Sequence, residues 1–323
     1  MGIQNPDELN EPNEATGGRA ETDVEARVGL SYTFGQLKKD PTAWVGFVII
    51  GTVSVVAVIA FVDQTFLHYW LADHLWVDPV RDTSAPSLLK PPFVSNQGTW
   101  NHVLGTDTRG RDVLVRLFYG ARIAIEVGFL STVVGLVGGT AAGAVAGFYG
   151  GWIDDVLMRA VETLYAIPFL VLVIAFMTAF GRTLVFAMIG VGIISIPTFA
   201  RLIRSRVVSV REEGYIEAAR AAGVRDRNII LRHVIPNSFA PVLVQATLQI
   251  GIAILLVAGL SFLGFGAQPP TPSWGQILSN ARNAILVNPW FSFWPGLAIL
   301  VTVMGFNILG DGLRDALDPR IQN

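Results

Sequence analysis

Residues 41–62 read PTAWVGFVIIGTVSVVAVIAFV, an apolar run without one charged side chain. At 1.5 Å per residue, about 20 such residues cross the ~30 Å hydrocarbon core of a bilayer as a helix. Only a structure that pairs its own backbone polar groups is tolerated there, so this stretch decides an all-α integral membrane class. The whole chain agrees: 323 residues are 52% hydrophobic and 15% charged, with a mean hydropathy of +0.51. That is more apolar surface than one soluble globule can bury. A net charge of −2, without a long basic run, gives no footprint for a nucleic-acid partner. The absence of cysteine excludes disulfides, thiolate metal sites and cysteine nucleophiles.

On the N-terminal side of this span, residues 1–40 scatter Glu8, Glu11, Glu14, Glu21, Asp23 and Glu25 among Asn, Gly and Pro, and are expected to be a mostly disordered tail. The apolar run begins too late for a cleaved secretory signal, so the tail is expected to stay attached. On the C-terminal side, residues 63–122 form a long polar loop whose last part, GTDTRGRDVLVRLFYGAR at 105–122, spaces Val113, Leu114, Leu117 and Phe118 opposite Asp112 and Arg116. This spacing predicts an amphipathic helix lying on the membrane surface. Further spans are expected at residues 123–148, 156–180, 184–203, 241–265 and 291–309, six in all. The five later spans make a core over residues 123–311, followed by a tail at 312–323.

In the second span Gly135, Gly139, Gly143 and Gly147 recur every fourth residue. One helix face is thereby bare backbone, which points to a close helix contact rather than to glycine as filler. Pro168 and Pro197 fall inside the third and fourth spans, where each removes a donor; a hinge and an ordinary membrane-helix proline both fit. The loop after the fourth span carries Arg201, Arg204, Arg206, Arg211, Arg220, Arg225, Arg227 and Arg232, whereas the short connectors on the other side hold only Arg182 and Arg282. The positive-inside bias makes the arginine loop cytoplasmic, and six spans then place both termini inside, with Lys38, Lys39, Arg314 and Arg320 beside them.

The span interiors are nearly free of charge, which disfavours an ion-coupled secondary transporter or a channel. A phosphate-binding loop needs a lysine after its glycines, and none occurs beyond Lys90, so an ATPase within this chain is excluded. The histidines at 68, 74, 102 and 233 lack metal-site spacing, and the first three are expected at the surface. GFGAQPPTPSWG at 264–275 contains no nucleophile elbow and is expected to be a turn-rich outer connector. No catalytic, cofactor or metal residue is assigned.

Within the cytoplasmic segment 204–238, REEGYIEAARAAGVRDRNIILRHVIPNS at 211–238 reads as two short helices around a glycine corner. Alanine-rich residues 215–222 form the first, Gly223 stops it, and residues 226–234 form the second before Pro236 ends it. Small alanines suit a helix seated in a partner's groove, with Glu217, Arg220, Arg225 and Arg232 at the rim. A helix pair resting on anionic headgroups fits the same residues.

This segment resembles the EAA motif of binding-protein-dependent ABC importer permeases: Glu217, Ala218 and Ala219, three residues, Gly223, then an apolar-x-apolar-Pro ending whose spaced positions here are His233 and Ile235. The HVIPN variant, with LGTDTRGRDVLVRLFYGAR at 104–122, GGWIDDVLMRAVETLYAIP at 150–168, FLGFGAQPPTPSWG at 262–275 and NILGDGLRDALDPR at 307–320, is similar to the dipeptide/oligopeptide/nickel permease family, nearest its second, C-type peptide subunit. The resemblance implies a six-helix type I importer fold in the cytoplasmic membrane. It further implies a homologous second permease, two ATPase subunits that bind the ATP and Mg, an extracytoplasmic substrate-binding protein, and peptide or nickel-chelate cargo. Glu217, Ala218, Ala219 and Gly223 carry over as the ATPase-coupling residues, with Pro236 as the terminator.

Overall fold

The structure, a computed structural model, describes residues 40–317 except 76, 79 and 81. The expectations for the tail at 1–39, for the lysines at 38 and 39, and for residues 318–323 lie outside the described residues. Among the described residues the regular elements are all helical. Among the described residues five helices are long and apolar enough to cross a membrane, and six crossings result if one bent helix pair counts as a single span.

Helix α1 (Pro41–Thr65) starts where the Asp40 carboxylate accepts a 2.8 Å bond from the Thr42 amide and Pro41 presets the first turn. Apart from Asp63 near its end it buries only small residues, Ala43, Gly46, Ala57 and Ala60, and turns Trp44, Val45, Phe47 and Val48 outward. Through Gly46 and Gly305 its backbone comes up against the last helix, α11 (Trp290–Leu317). In lipid, where helices gain nothing by hiding apolar side chains from each other, this small-residue contact supplies the packing.

A short helix, α2 (Trp70–Leu75), leads into the outer loop. Helix α3 (Val113–Tyr149) runs for 37 residues, about 55 Å at 1.5 Å per residue. The surface-lying amphipathic helix expected before the second span does not exist as a separate element: residues 113–122 are the opening turns of α3, and Val113, Val115, Arg116 and Tyr119 are buried. Their polar face meets the folded outer loop instead of headgroups.

The third span is also corrected. It divides into α4 (Gly151–Ala166) and α5 (Phe169–Phe180), bent by 96°. Pro168 disfavours helical geometry in the residue before it, and Ile167 is extended at φ −84°, ψ 127°. The proline therefore breaks the helix rather than kinking it. Pro197, by contrast, sits inside an unbroken α6 (Leu184–Val210).

Helix α7 (Gly214–Ala221) and the single turn α8 (Asp226–Ile229) follow, then a π-helical turn (Ile230–Val234) that runs directly into α9 (Ile235–Phe262). Pro236 thus ends nothing. The Ile235 amide reaches back to Ile230 O across the widened turn, and Pro236 falls in the opening turn of α9, where a missing N–H is tolerated. The connector at 264–275 is more ordered than a string of turns. Its Ser273 caps α10 (Trp274–Ala281) by accepting from the Gln276 amide, and Trp274 Nε1 donates to Leu117 O at 2.9 Å.

Candidate functional site

The arginine-rich end of the bundle is built on an apolar floor. Ile216 from α7, Ile229 and Ile230 around α8, and Val234 pack into one cluster with Ala144 and Phe148 of α3, Phe199, Ile203 and Val207 of α6, and Val242 of α9. Ile216 and Ile229 are completely buried. Burying a side chain of this size stabilises by about 1.5–3 kcal/mol, so α7 is anchored to the bundle rather than tethered to it.

With Ile216 facing inward, periodicity decides where the motif residues go. Ala219, three residues on, is half-buried against the same cluster, while Glu217 and Ala218 face outward. Gly223 adopts φ 76° and its amide closes the helix onto Arg220 O at 2.9 Å. An L-residue there costs about 1–2 kcal/mol in backbone strain, which is the reason for glycine. Pro236 lies on the exposed surface next to Asn237, whose Nδ2 donates to the Tyr215 hydroxyl at 3.0 Å and ties α9 to α7. The structure therefore brings Glu217, Ala218 and Gly223 onto one free surface and turns Ala219 toward the core.

The arginines do more than mark one side of the membrane. Arg211 Nη1 donates to Gly147 O at 3.0 Å and to Phe148 O at 3.4 Å, the open carbonyls at the C-terminal end of α3. A guanidinium there complements the negative end of the helix dipole. The Arg220 guanidinium lies 4.9 Å above the Phe148 ring. Between these groups opens a cleft of about 550 Å³ lined by Phe148, Tyr149, Arg211, Glu212, Glu217, Arg220 and Asp226. Arg204 makes a two-pronged contact to Asp154 at 2.6 and 2.5 Å, and Arg201 stacks 4.4 Å over Tyr165, both fastening α4 to α6. Asp154 carries this charge in the first turn of α4, where the helix dipole favours it.

The glycines of α3 face α6 along one line. A Cβ built on Gly135 would stand 2.6 Å from Ser195 Cβ, and one on Gly147 2.9 Å from Arg204 O. At Gly139 and Gly143 the obstruction is Phe199 and the Ala200 backbone, closer still. The approach is mutual, since Gly192 of α6 would meet Val134 Cβ at 2.6 Å. Deeper in the same layer Gln249 Nε2 of α9 donates to Ser195 Oγ at 2.7 Å.

At the opposite end, GTDTRGRD at 105–112 is a folded cap ahead of α3 rather than part of a surface-lying helix. The Asp107 carboxylate accepts from the amides of Arg109 and Arg111 and pairs with Arg111 Nε at 2.7 Å, all but hidden from solvent. Asp112 caps α3 by accepting from the Val115 amide at 2.9 Å, and its other oxygen is 2.8 Å from His102 Nδ1. His102 is thus mostly covered rather than a surface residue, with its side chain 15% exposed. Tyr119 donates to Asp63, and Asn288 Nδ2 donates to Leu89 O at 3.1 Å, so α1, α3 and the loop before α11 share one polar cap. The acid–arginine density of the motif was the available signal. Among the described residues no group of three or more His, Cys, Asp or Glu is placed to hold a metal ion.

Residues 139–323 match the family described as binding-protein-dependent transport system inner membrane component, and the chain belongs to it. It is a membrane-embedded permease subunit of an importer and not an enzyme.

The chain is 41% identical over 290 residues, 90% of each chain, to a dipeptide transport system permease protein DppC of Alkalihalophilus pseudofirmus. It is 43% identical over 222 residues, 69% of this chain and 74% of the relative, to a glutathione transport system permease protein GsiD of Pectobacterium atrosepticum. Among solved structures, an inward-facing form of the MetNI methionine ABC transporter superposes with a TM-score of 0.52 at 22% identity, covering 63% of this chain and 97% of that one. That likeness establishes the type I importer permease fold.

Proposed function

We propose that the chain carries short peptides across the cytoplasmic membrane as one half of a two-permease channel, by alternating access driven from separate ATPase subunits. The observation that carries the reading is the exposed surface of α7 and Gly223, rigidly mounted on the bundle by Ile216 and presented to whatever binds there. Peptide cargo is supported by similarity to a dipeptide and a glutathione permease. In this reading Glu217, Ala218, Ala219 and Gly223 are the coupling residues, with Ala219 packing the helix down and the others meeting the ATPase. Pro236 serves as the entry to α9. ATP and Mg reside on the two ATPases, an extracytoplasmic binding protein delivers the substrate, and the outward apolar faces of α1 and its neighbours meet lipid. The arginine-rich end is cytoplasmic, and the Asp107 cap is extracytoplasmic.

Transport follows from linkage: nucleotide-driven closure of the ATPases favours one arrangement of the docked loops, and the spans follow to the extent that the two states differ in binding energy. The test is reconstitution of the complete complex in proteoliposomes, with uptake of labelled dipeptides, oligopeptides and nickel chelates measured with and without ATP. ATP-dependent peptide uptake is expected. Uptake of nickel chelate alone, or uptake that ignores ATP, overturns the reading.

A further inference from the structure

Two of the helices meeting α7 are its covalent neighbours, α6 and the α8–α9 unit, but α3 is not. Some sixty residues separate the end of α3 from Arg211, yet α7 and its entry touch α3 through two arginines. The contacts are unlike the rest of the interface. Ile216 is sealed in the apolar floor, whereas Arg211 and Arg220 border the open cleft of about 550 Å³, where water can replace them. The floor makes α7 fold; the arginines are not needed for that. Their partners are specific all the same. Arg211 reaches the last free carbonyls of α3, and Arg220 covers the ring of Phe148, itself buried.

We propose that Arg211 and Arg220 are positioning residues that fasten the docking helix to the C-terminal end of α3, so that a displacement of α7 is delivered to α3. The glycine contact then carries the motion along α6. Because Gly135 to Gly147 put no α3 side chain into the contact, and Ser195, Phe199, Ala200 and Val207 of α6 sit directly against the α3 backbone, α3 and α6 shift as one plate rather than sliding past each other. The branch through Arg204–Asp154 and Arg201–Tyr165 adds α4 to the same plate, up to its break at Pro168. The coupling element therefore acts on α3 across space and not only on α6 and α9 along the chain. This rests on the reading of α7 as the ATPase docking helix.

The experiment uses the full complex with Arg211→Gln, which shortens the side chain and removes the guanidinium that reaches the α3 carbonyls, and leaves Phe148 in place because it belongs to the apolar floor beneath α7. Arg211 shares the cleft with Glu217 but is not one of the outward-facing motif residues Glu217, Ala218 and Gly223. ATPase co-purification and ATP hydrolysis are expected within twofold of the parent, while uptake per ATP falls at least tenfold. Arg211→Lys is expected to restore most of it, because an ammonium again donates to the open carbonyls of α3. The chain has no cysteine, so spin labels at Trp152→Cys and Ala222→Cys, both exposed, report the separation of α4 from the end of α7 without background. That distance is expected to stay fixed between nucleotide-free and ATP-bound complexes of the parent and to change in Arg211→Gln. Parallel loss of hydrolysis and uptake, unchanged uptake, or a distance that varies equally in parent and variant overturns the proposal. Should Glu217→Lys retain ATPase binding and uptake, the docking reading itself fails and the proposal falls with it.

Discussion

Gly143 faces the Ala200 backbone, and no rotamer of a larger residue avoids a backbone atom. Gly139→Leu combined with Gly143→Leu is expected to separate α3 from α6 at a cost of about 1–3 kcal/mol per site. Thermal unfolding of the purified complex reads this as a clear drop in midpoint; an unchanged midpoint contradicts the packing role. The buried pair at the other end makes a second expectation. Asp107→Ala leaves Arg111 charged and uncovered in a nearly solvent-free cap, and removing one partner of such a pair costs about 3–5 kcal/mol. The conservative Asp107→Asn keeps the amide contacts and is expected to lose less, measured by the same unfolding experiment.

Elements differ in how far their neighbours override local preference. By itself α7 is an eight-residue alanine-rich helix, too short to persist in water, and burial of Ile216 holds it in place. Gly223→Val forces a β-branched residue to φ 76° and is expected to misplace the Glu217 surface while leaving membrane insertion intact. Co-purification of the ATPases with the variant checks this, with loss expected. The prolines teach the complementary point. Pro168 breaks a helix and Pro197 does not, although both lie in apolar runs. Ala166 and Phe169 border an exposed bend, whereas Pro197 is buried inside α6, which continues through it unbroken and packs against α3 and α9.

For the whole molecule the testable quantity is orientation. Trp100→Cys lies beside the Asp107 cap and Arg227→Cys on the arginine loop, both exposed. An impermeant maleimide is expected to label the first in intact cells and the second only after the membrane is opened. The reverse pattern contradicts the cytoplasmic placement of the arginine loop. Hydropathy was sufficient for the helical membrane class, because an uncharged run such as 41–62 has one stable way to satisfy its backbone in lipid. The glycine period announced a close contact for the same kind of reason, since a missing Cβ has the same effect in any surroundings. What the sequence could not decide was which partner each ambiguous segment would meet. Residues 113–122 are amphipathic on a surface and equally suited to a buried helix whose polar side meets Asp107 and Gln276. Pro236 reads as a stop until a π turn precedes it, and Arg211 reads as a topology signal until the end of α3 arrives beneath it. Local periodicity and solvent preference belong to the chain alone; the identity of a polar group's partner depends on which distant backbone comes within 3 Å, and only the packed bundle decides that.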